Sequence, residues 1–202
     1  MFFKKLKIFF LIQFLIVISF IVCYYNYPFW YYFKTDNFEV LESYKGQNIK
    51  GFRGKQILIH RDFKTYLDRL DVLARYCKVH LIINQSYRFK NESLKGAIVK
   101  SSKNSNHKAG FAIDFNIKSD GVKYYSQDLK IDNLKQLPIE VQNFINQVRK
   151  DKDLRWGGDF KNQDPIHIDF PLNLKNKRKW EICSQKCYSD FSKRIPIWKI
   201  WL

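Results

Sequence analysis

Only four histidines occur in the 202 residues, and two of them have neighbours that could do chemistry. His107 opens "HKAGFAIDF", in which Asp114 lies between Ile113 and Phe115; His167 stands in "DPIHIDF". Both stretches alternate at period two, as strands do. Ala112, Asp114 and Asn116 then share one face and Phe111, Ile113 and Phe115 the other; His167 and Asp169 share a face opposite Ile166, Ile168 and Phe170. Gly110 and Ala112 leave room beside Asp114, and His107, just ahead of the strand, can fold back toward it. Two imidazoles and one carboxylate suit one zinc ion with a fourth position open to water, and water there becomes acidic enough to attack a carbonyl. The attack needs a base, for which Asp164 at the edge of the same cluster is the candidate. A buried, hydrogen-bonded His–Asp pair explains one such couple equally well, so spacing by itself stops short of a metal. His60 and His80 adjoin ordinary apolar runs and read as structural or surface residues.

These side chains need a scaffold. "QILIHRDF" (56–63) suits a short strand or the entry to a helix. Residues 63–79 place Tyr66, Leu67, Leu70, Val72, Leu73 and Tyr76 at helical spacing. "HLIINQSYRF" (80–89) reads as a buried strand running into a polar turn, and 90–106 as a lysine, asparagine and serine loop. "DGVKYYS" holds a turn and a short strand. "PIEVQNFINQVRK" (138–150) starts with Pro and continues as a helix. "DLRWGGDF" is a strand entering a Gly-Gly turn, and "PIHIDF" a short strand whose leading Pro165 is tolerated. Helices and short strands mix without a repeating βαβ pattern, so the class is α+β: a small mixed domain with an antiparallel sheet and flanking helices.

The ends differ from the middle. Lys4, Lys5 and Lys7 precede an apolar run from Ile8 to Tyr25 broken only by Gln13 and Ser19. As a helix it is about 27 Å long, close to a bilayer's hydrocarbon core. Tyr24, Tyr25, Tyr27, Trp30, Tyr31 and Tyr32 follow as an interfacial belt. No small-residue cleavage site lies near residue 25. The reading is an uncleaved single-pass signal anchor in the inner or cytoplasmic membrane, with the rest facing the periplasm or cell exterior. Residues 1–34 are then anchor and belt, 35–55 a connecting segment, 56–172 the domain and 173–202 a basic, aromatic tail. The net charge of +17 suits a polyanionic neighbour, though a solvated lysine-rich surface accounts for it as well. An anchor argues against nucleic acid. Cys77 reads as a buried thiol; Cys183 and Cys187, in an exported domain, suggest a local disulfide.

At this point three motifs resemble a known family. "SNHKAGFAIDF" is similar to the S-x-H-x-x-G-x-A-x-D signature of the zinc peptidases that cut D-amino-acid bonds in peptidoglycan: the VanX- and VanY-type D-Ala-D-Ala peptidases and the phage L-alanyl-D-glutamate endolysins. Ser105, His107, Gly110, Ala112 and Asp114 all fall in place. "RWGGDFKNQDPIH" resembles the W-G-G-D element and acidic-x-x-His close of the endolysin-like branch, and "QSYR" the S-x-Y-R segment. The resemblance covers about residues 56–172.

The resemblance implies a Hedgehog/DD-peptidase-like fold and one zinc ion on His107, Asp114 and His167. Asp164 would be the general base, and Arg88 would stabilise the oxyanion or hold a substrate carboxylate. Ser105 would contact substrate or support the site, Tyr87 would contact substrate, Trp156 would line the cleft and contact substrate or else lie in the core, and Asp169 would orient a ligand or sit in a salt bridge. The expected function is a membrane-anchored zinc peptidase cutting peptidoglycan stem peptides, as an L-Ala-D-Glu endopeptidase or a D-Ala-D-Ala carboxypeptidase. The alternative is a catalytically silent wall-binding protein of the same fold. The lysine-rich stretch 90–104 and the tail after 172 lie outside the family pattern.

Overall fold

The computed structural model describes residues 2–25, 38–89 and 102–193. The interfacial belt, most of the lysine-rich stretch and the terminal "IPIWKIWL" lie outside the described residues.

Alternation sets the central sheet. β5 (Ala112–Ser119) runs through its middle, and its neighbours follow in the order β2 (Ile49–Gly51), β4 (His80–Gln85), β5, β8 (His167–Asp169) and β7 (Arg155–Trp156). β6 (Val122–Tyr124) also pairs with β5. β2 and β4 are parallel, and the other pairs are antiparallel. Ile113, Phe115 and Ile117 of β5 join Leu81 and Ile83 of β4 in the main core. Two amphipathic helices supply the opposing face: Leu67, Leu70 and Ala74 of α2 (Lys64–Tyr76), and Val141, Phe144, Ile145 and Val148 of α3 (Ile139–Lys150). Phe115 meets Phe144 edge to face, with centroids 6.4 Å apart; burying each such side chain is worth about 1.5–3 kcal/mol. This is the α+β class expected. Val72 and Tyr76, expected on the apolar face of α2, are instead exposed, because they point about a half-turn away from the Leu67–Leu70–Ala74 stripe.

Residues 35–55 are more than a connection. β1 (Leu41–Tyr44) pairs antiparallel with β3 (Ile57–His60), and β2 extends the main sheet. The tail from 173 is also structured. After the short α4 (Leu172–Lys175), α5 (Lys177–Ser192) buries Trp180, Cys183, Cys187, Asp190 and Phe191 along one face. Asp190 is buried, and its carboxylate accepts the backbone N–H groups of Glu39, Val40 and Leu41 at 3.0, 2.9 and 2.9 Å, tying α5 to β1. The expected Cys183–Cys187 disulfide is absent: the two lie one helical turn apart on α5 as separate buried thiols. Cys77 is a buried thiol, as expected.

α1 (Phe2–Tyr25) exposes apolar side chains on every side between Ile8 and Ile21. Among the described residues no helix is long and apolar enough to cross a membrane, so the single-pass anchor gains no support from the fold.

Candidate metal centre

Strand register builds the centre. Asp114 lies directly opposite His167 across the β5–β8 pair, and Ala112 lies opposite Asp169. Directly paired residues project to the same face, so the carboxylate and imidazole meet, with alanine leaving space beside Asp169. His107 arrives from the short turn Asn106–Ala109, in which its own N–H is capped by the Ser105 hydroxyl. His107 Nε2 lies 3.0 Å from Asp114 Oδ1 and 3.2 Å from His167 Nδ1; His167 Nδ1 lies 3.0 Å from the same carboxylate oxygen. All three expected ligands thus offer one atom each to a single point.

Gly110 ends that turn with φ +75°, the left-handed region. A Cβ there would also run into the backbone of His60, whose N–H donates to the Gly110 carbonyl at 3.0 Å. This explains the motif glycine. Gly110→Ala is expected to lower stability by about 2 kcal/mol or more, combining backbone strain and steric overlap; a urea melt on the purified protein checks it. His60 itself is buried and accepts the Asp62 N–H, the structural role expected for it, while His80 is exposed.

The second nitrogen of each histidine is also held. His107 Nδ1 donates to the Ser86 carbonyl at 2.7 Å. His167 Nε2 faces Asp169 Oδ2 at 3.5 Å. Asp169 is buried, bridged by Arg155 through Nε (3.0 Å) and Nη2 (2.7 Å), and accepts Asn106 Nδ2 at 2.6 Å. Both expected readings of Asp169 hold together: it orients His167 and is salt-bridged. Oriented imidazoles with their outer nitrogens tied to carbonyl or carboxylate oxygens are the arrangement metal ligands use.

Charge favours a cation here. Burial alone would raise the Asp114 carboxyl, but His107 and His167 outweigh it and hold it well below the usual carboxylate range. Burial would lower His167, yet hydrogen bonds to Asp114 and Asp169 draw it up to about 10. The donor set fits zinc by its chemistry and spacing, two imidazoles and one carboxylate suited to ligands each about 2 Å from one ion, and a zinc ion would displace the proton that His167 holds.

Asp169 is held down to about 2 by His167 and Arg155, against the opposing effect of burial. A depressed carboxyl stabilises the fold above its ordinary pKa, and that contribution disappears as pH falls toward about 2. Arg155→Met is expected to cost about 2 kcal/mol at neutral pH, the buried-pair value discounted for the partly exposed arginine. The variant should also begin acid unfolding at a higher pH; urea melts at neutral and acidic pH check both.

Asp164 follows the Gly157–Asp159 turn. It is partly buried, and burial first, then the Asp114 charge, raises its carboxyl above the ordinary value; His167, His107 and Arg88 act in the opposite direction. The Trp-Gly-Gly element sets its position. The Gly157 carbonyl accepts the Asp164 N–H at 2.8 Å, and a Cβ on Gly157 would strike the Asp164 carbonyl and His167. A Cβ on Gly158 would strike the Trp156 ring. Trp156 is 1% exposed and its indole N–H donates to the Pro165 carbonyl at 2.7 Å. Of its two expected readings the core one holds: it braces the Asp164 segment and is too enclosed to contact substrate.

Arg88 is buried beside the centre. Its guanidinium Nε donates to Gln85 Oε1 at 3.1 Å, with a second bond from Nη2 to the same oxygen. The register slips between Ile83 and Gln85, leaving Asn84 as an extra residue and turning Gln85 toward the face of Asp114. Tyr87 is 2% exposed and packs with Phe191, so it too sits in the core where substrate contact was expected. The Ser105 hydroxyl is spent on the His107 N–H at 3.4 Å, a structural cap. Sequence reasoning missed Ser86, Gln85, Asn106 and Arg155. Ser86 acts through its carbonyl, which carries no residue signature; the other three are polar residues whose importance depends on which carboxylate or cation faces them.

Residues 99–170 match the model of a family described as D-alanyl-D-alanine carboxypeptidase, Peptidase_M15_4. Among solved structures, the chain is similar to the crystal structure of Serratia marcescens L-Ala D-Glu endopeptidase ChiX, at 20% identity and a TM-score of 0.39, over 58% of this chain and 84% of that one. No match is found among curated proteins.

Proposed function

We propose, for a chain whose residues 99–170 fall in the D-alanyl-D-alanine carboxypeptidase family, that it is a zinc peptidase hydrolysing an amide bond in peptidoglycan stem peptides. The observation that carries this reading is the convergence of His107 Nε2, Asp114 Oδ1 and His167 Nδ1 within that segment. A zinc ion held by them would polarise a carbonyl and lower the pKa of water. Asp164 is the group to accept the proton of the attacking water and return it to the leaving amine, and its raised pKa suits that exchange. Arg88, oriented by Gln85, places a fixed positive charge toward the negative charge that develops on the carbonyl oxygen. Asp169 and Ser86 keep the two imidazoles in register throughout.

The bond cut, L-Ala-D-Glu or D-Ala-D-Ala, is part of the proposal to be decided by products. Purified protein with zinc should cleave stem peptides, and mass spectrometry of the fragments identifies the bond. Bound zinc with no cleavage of any stem peptide would overturn this reading in favour of a silent wall-binding protein.

The location is proposed alongside it: a single-pass tether, with the domain on the periplasmic or outer side. Its support is in the sequence: the lysines at 4, 5 and 7 ahead of the apolar run from Ile8 to Tyr25. Fractionation and protease protection of the full chain test it; release into the soluble fraction would sink the tether.

A further inference from the structure

The segment that matches the family ends at residue 170. α4 and α5 lie beyond it, yet their bonds converge on the turn that delivers His107. Asn173 Nδ2 donates to the Asn104 carbonyl at 2.8 Å, the Trp180 indole N–H to the Ser105 carbonyl at 3.3 Å, and the Cys187 thiol to the Ala109 carbonyl at 3.5 Å. The turn is thus fixed from the tail on both sides of His107. The tail is itself anchored, since Asp190 accepts N–H groups of β1, and Leu172, Trp180 and Cys183 lie in the main core.

Asn106 carries this support into the centre. It is buried, and its amide offers two N–H donors and a carbonyl acceptor. Nδ2 donates to Asp169 Oδ2 at 2.6 Å and to Asn173 Oδ1 at 3.0 Å, while Oδ1 accepts the Asn173 backbone N–H at 3.1 Å. An ionised Asp169 can only accept, which fixes the way the amide faces. Asn106 is the residue before His107, and Asp169 is the group that faces His167 Nε2. One amide therefore ties the backbone of one histidine ligand to the support of the other, and Asn173 grips it with two bonds.

The residue types matter. A carboxylate at 106 would meet that of Asp169, and an apolar side chain would leave the Asp169 oxygen and the Asn173 N–H short of a partner. A metal is held as firmly as its ligands keep their separation, and His107 Nε2 and His167 Nδ1 stand 3.2 Å apart at the end of this chain of bonds. We propose that Asn106 and Asn173 are positioning residues for the two histidine ligands, and that the C-terminal segment α4–α5 is through them a working part of the metal centre. The proposal rests on the zinc reading above but not on cleavage.

The test uses the full chain, stripped of metal and titrated with zinc against a competing chelator, and the same protein loaded with cobalt(II) for visible absorption. Asn106→Ala should weaken zinc binding by about 10–100-fold, the usual loss for a group that supports a metal ligand. Asn173→Ala keeps its backbone N–H on Asn106 and should weaken binding by about tenfold. Both should shift the cobalt bands, which follow ligand geometry. The double variant should bind zinc about as weakly as Asn106→Ala alone, because Asn173 acts mainly through that amide. Wild-type zinc affinity and cobalt bands in Asn173→Ala, beside a lowered urea midpoint, would overturn the proposal, since the pair would then serve the fold alone. Losses that simply multiply in the double variant would overturn the link through Asn106. Should Asn106→Ala fail to fold, Asn173→Ala, whose side chain is only partly buried, decides by itself. A wild type that binds zinc but cleaves no stem peptide defeats the peptidase reading, and the zinc affinities still judge the two asparagines. A wild type that binds no zinc defeats both.

Discussion

His107→Ala and Asp114→Ala are each expected to abolish stem-peptide cleavage and to leave the purified protein with little or no zinc. The ligand atoms lie 3.0–3.2 Å apart, so removing one leaves two donors, too few to fix a zinc ion. Loss of a merely supporting residue around a metal costs about 10–100-fold in affinity, and loss of a ligand must exceed that. The two variants should differ in stability. Asp114→Ala leaves His107 and His167 facing one another without the carboxylate that draws His167 up, so it should unfold at lower urea than the wild type at neutral pH. His107→Ala removes a buried ring and one of the two bonds to Asp114. Metal content by mass spectrometry, read beside the urea midpoint, separates a lost site from a lost fold. Full zinc occupancy in either variant would mean that the three side chains serve structure and that the metal sits elsewhere.

How much of this was legible in the sequence depends on what kind of contact carries each part. Period-two alternation in "AIDFNI" and "HID" is local, so the strands and the shared face of Asp114 with its neighbours could be read directly. That Asp114 pairs with His167 is a matter of register, and only the motif order hinted at it. The apolar stripe of α2 was visible, but Val72 and Tyr76 were wrongly included because an apolar residue at a neighbouring helical position still looks periodic. α5 was missed altogether. Its buried face is Trp180, Cys183, Cys187, Asp190 and Phe191, spaced as a helix requires, yet a carboxylate and two cysteines do not read as core beside so many lysines. Asp190 is buried only because three backbone N–H groups from β1, far away in the chain, converge on it. The Cys183–Cys187 bridge was misjudged for the same reason: close spacing suggests a staple until a helix is known to separate the two thiols. Trp156 stayed open between cleft wall and core, because a motif tryptophan reads the same either way until its indole is seen to donate to the Pro165 carbonyl from within.

Asp164→Asn is expected to keep zinc bound and to cut kcat by about a thousandfold, the middle of the range for a lost general base. Asp164 is not one of the three clustered ligands, so the metal content should stay at the wild-type level. The amide is the same size as the carboxyl, and the backbone bonds that fix the segment, from Asp164 N–H to Gly157 and from His167 N–H to Asp164, remain. The urea midpoint should therefore hold or rise slightly, since the substitution removes a partly buried carboxylate that faces Asp114. KM should change little, because the asparagine preserves the shape of the site and Arg88 is untouched. The pH dependence gives the sharper test. A base must be ionised to accept a proton, and burial and Asp114 raise the pKa of Asp164, so the acidic limb of the wild-type kcat/KM profile should lie above the ordinary carboxylate range. In Asp164→Asn that limb should vanish from whatever residual activity is left. A variant with normal kcat, or with the acidic limb unmoved, would show that the proton passes through another group and that Asp164 only closes the Trp-Gly-Gly turn.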